Sequence, residues 1–253
     1  MNRNGALIAL AIAAAVGLLF ALYPDLDIKI SEYFFAPDDP RAPWMLGGHY
    51  QARLREAAAS LIALIISPAI GAIVVKLVLP RARMWIPGRA AVLMIVTLVL
   101  APGLLTNVIL KDHWGRPRPI DLTVFYGDDE FVPWWDPRGP CPKNCSFVAG
   151  EPSGAFWTLA PAAVVPPQWR VIAYGAALAF GSAVGALRLA GGGHFVSDVV
   201  FAGVFMFLLI WLVHGLIYRW RATAFADAAV ERVLECVAMP VYRAVARLFT
   251  RSK

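Results

Sequence analysis

The chain has 253 residues, 59% of them hydrophobic and only 16% charged, with a mean hydropathy of +0.63. That is too apolar for an ordinary soluble domain and reads as an all-α, polytopic membrane protein. The formal net charge of +6 is what Lys and Arg flanking membrane spans produce, so the lipid bilayer is the expected partner and nucleic acid is not.

Gly5 to Tyr23 is an uninterrupted apolar run preceded by Arg3. A signal peptide is the other reading, but no small-x-small cleavage site ends the run, and a retained first span is expected. Pro24 to Arg55 is mixed, with Asp25, Asp27, Asp38 and Asp39 among Tyr33, Phe34 and Phe35; a short interfacial helix suits it. His49 in this segment reads as an ordinary surface histidine. Ala57 to Leu79 is a second span, ending at Pro80. Arg81, Arg83 and Arg89 then crowd one short loop, which the positive-inside rule places in the cytoplasm.

Ala90 to Leu110 is the third span and delivers Lys111 to the opposite face. Asp112 to Ala149 is a long polar loop there, rich in Pro, Trp and acidic residues. Trp134 and Trp135 either line the way in for a lipid or pack the loop. Cys141 and Cys145 could form a small clip in an oxidising compartment; two free thiols are the alternative. Ser153 to Pro167 is a short fourth span broken by Pro161, Pro166 and Pro167. Val171 to Leu187 is the fifth and Val199 to Tyr218 the sixth, followed by Arg219 and Arg221. His214, near that cytoplasmic end, carries no assigned chemistry.

Beyond the spans, Asp227, Glu231 and Glu235 precede Pro240, and Arg243, Arg247 and Arg251 recur every fourth residue after it, with Val241, Val245, Leu248 and Phe249 on other faces. Two amphipathic helices on the cytoplasmic surface are expected. The chain therefore divides into a six-helix membrane domain, 1–218, and a cytoplasmic tail, 219–253. No pattern sets an oligomeric state.

With both termini inside, three polar stretches fall together at the outer face. Arg188 to Asp198 reads RLAGGGHFVSD. His194 and Asp198 are one helical turn apart, so a carboxylate can hold one ring nitrogen and leave the other free. Lys111 to Pro119 reads KDHWGRPRP, and Phe147 to Ser153 reads FVAGEPS. Ionisable groups at membrane depth mark a site. Lys111, Arg118 and Arg188 supply cations suited to phosphate oxygens. Gly150 opens a helix whose N–H groups can face an anion. For Lys111 alone, snorkelling to the headgroups is the alternative.

These stretches resemble the three signature motifs of the type 2 phosphatidic acid phosphatase superfamily. Lys111, Arg118 and Pro119 match its first motif. Arg188, His194 and Asp198 match its third, with Leu187 where Ser usually stands. The second motif, Pro-Ser-Gly-His, departs. Pro152-Ser153-Gly154 would match three letters and put Ala155 at the His. Aligning Val148-Ala149-Gly150-Glu151 instead puts Glu151 there, and this alignment is preferred because it keeps an ionisable group at the acid position.

The resemblance implies a lipid phosphate phosphatase of the inner (plasma) membrane, its site facing the periplasm or outside. His194 would be the nucleophile that becomes a phosphohistidine, and Asp198 would orient it. Glu151 would protonate the leaving oxygen, giving best activity below neutrality, with His113 in reserve. Phosphatidic acid, phosphatidylglycerol phosphate, polyprenyl diphosphate and lipid A phosphate are the candidate substrates. No cofactor is expected and, lacking an acidic cluster, no metal. Competing readings are a catalytically silent phospholipid-binding protein, suggested by the missing His, a lipid phosphotransferase, and a vanadate-dependent haloperoxidase, which the spans disfavour.

Overall fold

The structure, a computed structural model, describes residues 1–38 and 43–250, apart from the side chains at 245, 246 and 248–250. Asp39 and Arg251, and the faces expected of Val245, Leu248 and Phe249, lie outside the described residues. Helix α1 (Arg3–Leu22) is capped by the Asn2 side chain, which accepts from the Gly5 N–H at 3.0 Å. The expected interfacial helix follows as α2 (Asp25–Glu32). Helix α3 (Gly48–Val78) is longer than the span read from sequence. Its 31 residues make about 46 Å at ~1.5 Å per residue, against a hydrocarbon core of about 30 Å. The helix is therefore longer than one crossing needs, and Arg53, Arg55 and Glu56 fall in its first turns.

Helix α4 (Gly88–Leu98) continues as a π-helical stretch, Val99–Leu110, and ends in the single turn α5 (Lys111–His113). Pro102 sits inside the π-stretch, where it has no N–H to give and its ring crowds the preceding turn. The Asn107 side chain donates to the Pro102 carbonyl at 2.7 Å and satisfies it.

Five helical rods are long and apolar enough to cross a membrane among the described residues: Arg3–Leu22, Gly48–Val78, Gly88–His113, Pro167–Ala190 and Val196–Arg219. The expected fourth span is instead two short helices in series, α6 (Gly150–Phe156) and α7 (Leu159–Val164). The break has a local cause. Pro161 cannot donate to Trp157 four residues back, and the Trp157 carbonyl accepts from the Ala160 N–H at 2.8 Å instead. The Trp157 indole N–H is taken up by the Thr97 hydroxyl at 3.0 Å.

Helices α8 (Arg170–Ala190) and α9 (Val196–His214) complete the bundle. Helix α9 is the most enclosed of the long rods and packs against α1, α4 and α6. Small residues allow the close approach that membrane helices need: a Cβ on Gly181 of α8 would come within 2.1 Å of the Phe156 ring of α6.

The tail is one helix, α10 (Asp227–Thr250), with Pro240 inside it, rather than two helices divided there. Proline forfeits one backbone bond, and the helix is held ahead of that point. Asp227 accepts from the Arg89 N–H at 2.9 Å and pairs with its guanidinium at 3.1 Å. Buried Lys76 of α3 lies 3.6 Å from Glu231 and 3.7 Å from Glu235.

Candidate active site

The C-terminal ends of α5 and α8 and the N-terminal ends of α3, α6 and α9 meet at one end of the bundle. The loop between α5 and α6 folds over them. Its two arms are joined by backbone bonds from Cys141 to Gly115, Cys145 to Lys111 and Ser146 to Arg116, at 3.1, 2.8 and 2.8 Å. Cys141 and Cys145 form a disulfide, which resolves the alternative left by the sequence. Trp134 turns inward, donates to the Gly17 carbonyl at 3.2 Å and packs on Phe201 with ring centres 4.5 Å apart. Trp135 is exposed.

His194 is wholly buried. Its Nδ1 lies 2.8 Å from the Ser146 carbonyl oxygen. A carbonyl can only accept, so Nδ1 carries the proton and Nε2 carries the lone pair. Nε2 has no hydrogen-bond partner. Burial is the main reason that the imidazole pKa falls to about 4, with Arg188 and Arg118 acting the same way and Asp198 against them. At neutral pH the ring is uncharged and nucleophilic.

Asp198 was expected to grip that ring directly. It stands 3.8 Å from Nδ1 and spends its oxygens elsewhere. Oδ1 accepts from Arg116 at 2.5 Å; Oδ2 accepts from the Ser146 hydroxyl at 2.5 Å and the Phe195 N–H at 3.0 Å. The reason is positional: as the third residue of α9, Asp198 caps the helix start. Ser146 links the two groups, its carbonyl on the imidazole and its hydroxyl on the carboxylate.

Lys111 and Arg188 are buried, and both lie within electrostatic range of Glu151. A Cβ on Gly150 would lie 3.1 Å from Lys111 Nζ, and one on Gly193 would lie 2.1 Å from an Arg188 terminal nitrogen; Gly193 is needed for Arg188 to lie where it does, and Gly150 lets Lys111 pack closely on the backbone. Gly192 has φ +64 and packs under Trp44, where any side chain would be strained. Arg118 stays at the rim and donates to Asn144, at 2.8 Å to its carbonyl and 3.0 Å to its side-chain oxygen.

Glu151 faces the same centre, with Oε2 3.6 Å from Arg188 Nε and 3.9 Å from His194 Nε2. Burial pushes its pKa up, but Arg188, His194 and Arg55 outweigh that and hold it at about 2. The alternative alignment is not favoured by geometry, because Ala155 is buried in helix packing. His113 turns back onto its own helix, 3.0 Å from the Ile109 carbonyl. His214 lies at the other end of α9, stacked on Tyr218. Among the described residues no three His, Cys, Asp or Glu side chains converge as a metal site requires.

Four contributors are not legible as site residues in the sequence. Arg116 is fully buried, donating to Asp198, to the Ser197 hydroxyl at 2.9 Å and to Asp27 at 2.8 Å. Asp27 also accepts from the Ser197 N–H at 3.1 Å. Ser146 and Arg55 complete the set. The signal for Arg116 was the doubled Arg-Pro of Arg116 to Pro119; the others resemble ordinary loop and flanking residues.

The profile of the PAP2 superfamily matches residues 90–222. The chain belongs to that superfamily. Lys111, Arg118, Glu151, Arg188, His194 and Asp198 all fall within the PAP2 match, whereas Asp27 and Arg55 lie ahead of it. The chain is 33% identical over 229 residues to a lipid A 4'-phosphatase of Francisella tularensis subsp. novicida, covering 87% of this chain and 98% of that protein. It is 42% identical over 104 residues to a lipid A 4'-phosphatase of Rhizobium leguminosarum, covering 41% of this chain and 45% of that one. The crystal structure of a PAP2-type phosphatidylglycerolphosphate phosphatase from Bacillus subtilis aligns with a TM-score of 0.48 at 23% identity, over 85% of this chain and 96% of that one.

Proposed function

We propose that the chain is a membrane lipid phosphate phosphatase that removes a phosphate from a lipid A-type glycolipid, through a phosphohistidine on Nε2 of His194. The observation that carries this is the imidazole itself. It is buried and neutral, its proton is held on Nδ1 by a backbone carbonyl, and its free nitrogen lies 3.9 Å from the Glu151 carboxylate that Arg188 also approaches. The choice of lipid rests on the Francisella relative, which matches over nearly its whole length.

In this reading Lys111, Arg188 and the rim cation Arg118 hold the phosphate oxygens, with the backbone at Gly150 packed against Lys111. Nε2 forms a bond to phosphorus as the bond to the sugar oxygen breaks. That oxygen is a poor leaving group and needs a proton, which Glu151 supplies. A phosphate dianion close to Glu151 opposes the cations and raises its pKa toward the range where it can do so. Asp198 stabilises the charge on the imidazole through its position below Nδ1. Water then cleaves the N–P bond with Glu151 as base, and inorganic phosphate leaves.

The site is assigned to the outer side of the plasma membrane. Arg81, Arg83, Arg89, Arg219 and Arg221 gather at the far end of the bundle. The Cys141–Cys145 disulfide beside Lys111 suits an oxidising compartment. Residues 1–218 form the membrane domain in this reading, with α6 and α7 together serving as the fourth crossing, and 219–253 a cytoplasmic tail.

Purified protein incubated separately with lipid A, phosphatidic acid, phosphatidylglycerol phosphate and polyprenyl diphosphate tests this, with free phosphate and the mass of the product as readouts. Lipid A should lose one phosphate fastest, and His194→Ala should lose none. Wild-type protein that releases phosphate from no member of the panel would refute the reading.

A further inference from the structure

Lys111, Arg118 and Arg188 account for the phosphate oxygens in the mechanism above, and one cation at the same face has no part in it. Arg55 lies in the charged first turns of α3. Its guanidinium reaches Glu151 Oε1 at 2.5 Å. The other oxygen of the same carboxylate points inward, 3.6 Å from Arg188 and 3.9 Å from His194 Nε2. Glu151 thus spans an outer cation and the reacting nitrogen.

This creates a conflict of space. A phosphorus attacked by Nε2 must come within about 3–3.5 Å of it, and the oxygens it carries then compete with Oε2 for one position. Two anions so close repel unless one moves or is neutralised. Of the four cations, Arg55 has the room to respond. Arg188 is only 4% exposed at its side chain and is wedged against Gly193. Arg118 is engaged by Asn144, and Lys111 is packed against Gly150. Arg55 is 43% exposed, in an ion pair of the weak, solvent-screened kind.

We propose that Arg55 is a fourth phosphate-binding cation that exchanges partners. It holds Glu151 in the structure seen here, and it passes to the phosphate oxygens as the phosphoryl group displaces Oε2. Glu151 is thereby released to take up the proton it gives to the leaving oxygen. The guanidinium suits this exchange, since it presents the same forked N–H edges to a carboxylate and to a phosphate. The groups facing Glu151 are Arg55 from α3, Arg188 from α8, His194 ahead of α9 and, within electrostatic range, Lys111 from α5. Losing Arg55 removes one of the influences that keep the carboxyl ionised.

The inference rests on the phosphatase reading and is tested in the full-length protein with 4'-phosphorylated lipid A in detergent micelles. Arg55→Gln should raise KM about tenfold, equivalent to losing one charge-assisted contact. It should also move the alkaline limb of kcat, which reports the enzyme–substrate complex, to higher pH, because with one cation fewer Glu151 keeps its proton longer. Arg55→Lys, which retains the charge but not the fork, should recover part of the KM. A residue that merely anchors α3 would lower thermal stability and kcat and leave that limb in place. Unchanged KM and an unmoved limb in Arg55→Gln, with wild-type turnover intact, overturn the inference and spare the phosphatase reading; absence of wild-type turnover overturns both. If the Gln variant does not fold, protection of Arg55→Lys against thermal unfolding by inorganic phosphate decides: it should need more phosphate than wild type, and equal protection overturns the inference.

Discussion

Arg116 donates to Asp198 Oδ1 at 2.5 Å, and neither side chain has any exposed surface. The same guanidinium reaches Asp27 on α2 at 2.8 Å, so one cation is shared by two carboxylates far apart in the sequence. Removing it strands both. Breaking a buried pair from one side costs about 3–5 kcal/mol. Arg116→Met should therefore lower thermal stability by that order and turnover with it. Thermal unfolding in detergent checks the first and phosphate release the second. A variant as stable as wild type contradicts the assignment of Arg116 as the link between α2 and the site.

The ring of His194 is oriented by a backbone carbonyl, and this sets apart two neighbouring variants. Ser146→Ala keeps the carbonyl and loses only the hydroxyl on Asp198, so kcat should fall by about tenfold or less, the scale of one hydrogen bond. Asp198→Asn turns an amide toward Arg116 and removes the charge below Nδ1, so the fall should reach about 100-fold or more. Equal losses in the two variants would mean that the hydroxyl, not the carbonyl, controls the imidazole.

The pKa values of about 4 for His194 and about 2 for Glu151 set the direction of the pH dependence. In the proposed mechanism His194 must be neutral and Glu151 protonated. Raising the pH above about 4 adds little neutral imidazole and steadily removes the proton from Glu151. kcat/KM, which reports the free enzyme, should therefore decline from mildly acidic toward alkaline pH. Glu151→Gln cannot donate the proton, and its kcat should drop by about 100-fold or more. Undiminished turnover in that variant removes Glu151 from the mechanism.

The Cys141–Cys145 disulfide closes the arm that carries Ser146 and, through Asn144, the contact of Arg118. Reduction should loosen that arm more than the bundle. Dithiothreitol, or the double change Cys141→Ser and Cys145→Ser, should raise KM several-fold while the melting temperature moves by only a few degrees, since so short a loop yields little stabilisation by closure. A wild-type protein indifferent to reductant would show the arm to be held by its backbone bonds alone.

The amino-acid sequence by itself determined the membrane class, the long apolar rods and the gathering of Lys111, Glu151, Arg188 and His194 at one end. Hydrophobic run length and flanking charge are local properties, and they decide on which face each polar residue emerges. Only the tertiary structure decided what those residues touch. That Ser146 rather than Asp198 holds the imidazole depends on a loop folding back across 48 residues. That Arg116 is buried between Asp27 and Asp198 depends on α2 docking against the start of α9. Pairings of this kind follow from which elements pack together, and no spacing within a single helix records them. The division between α6 and α7 at Trp157 lies between the two cases: Pro161 announced it, but the Thr97 hydroxyl that satisfies the indole came from another rod.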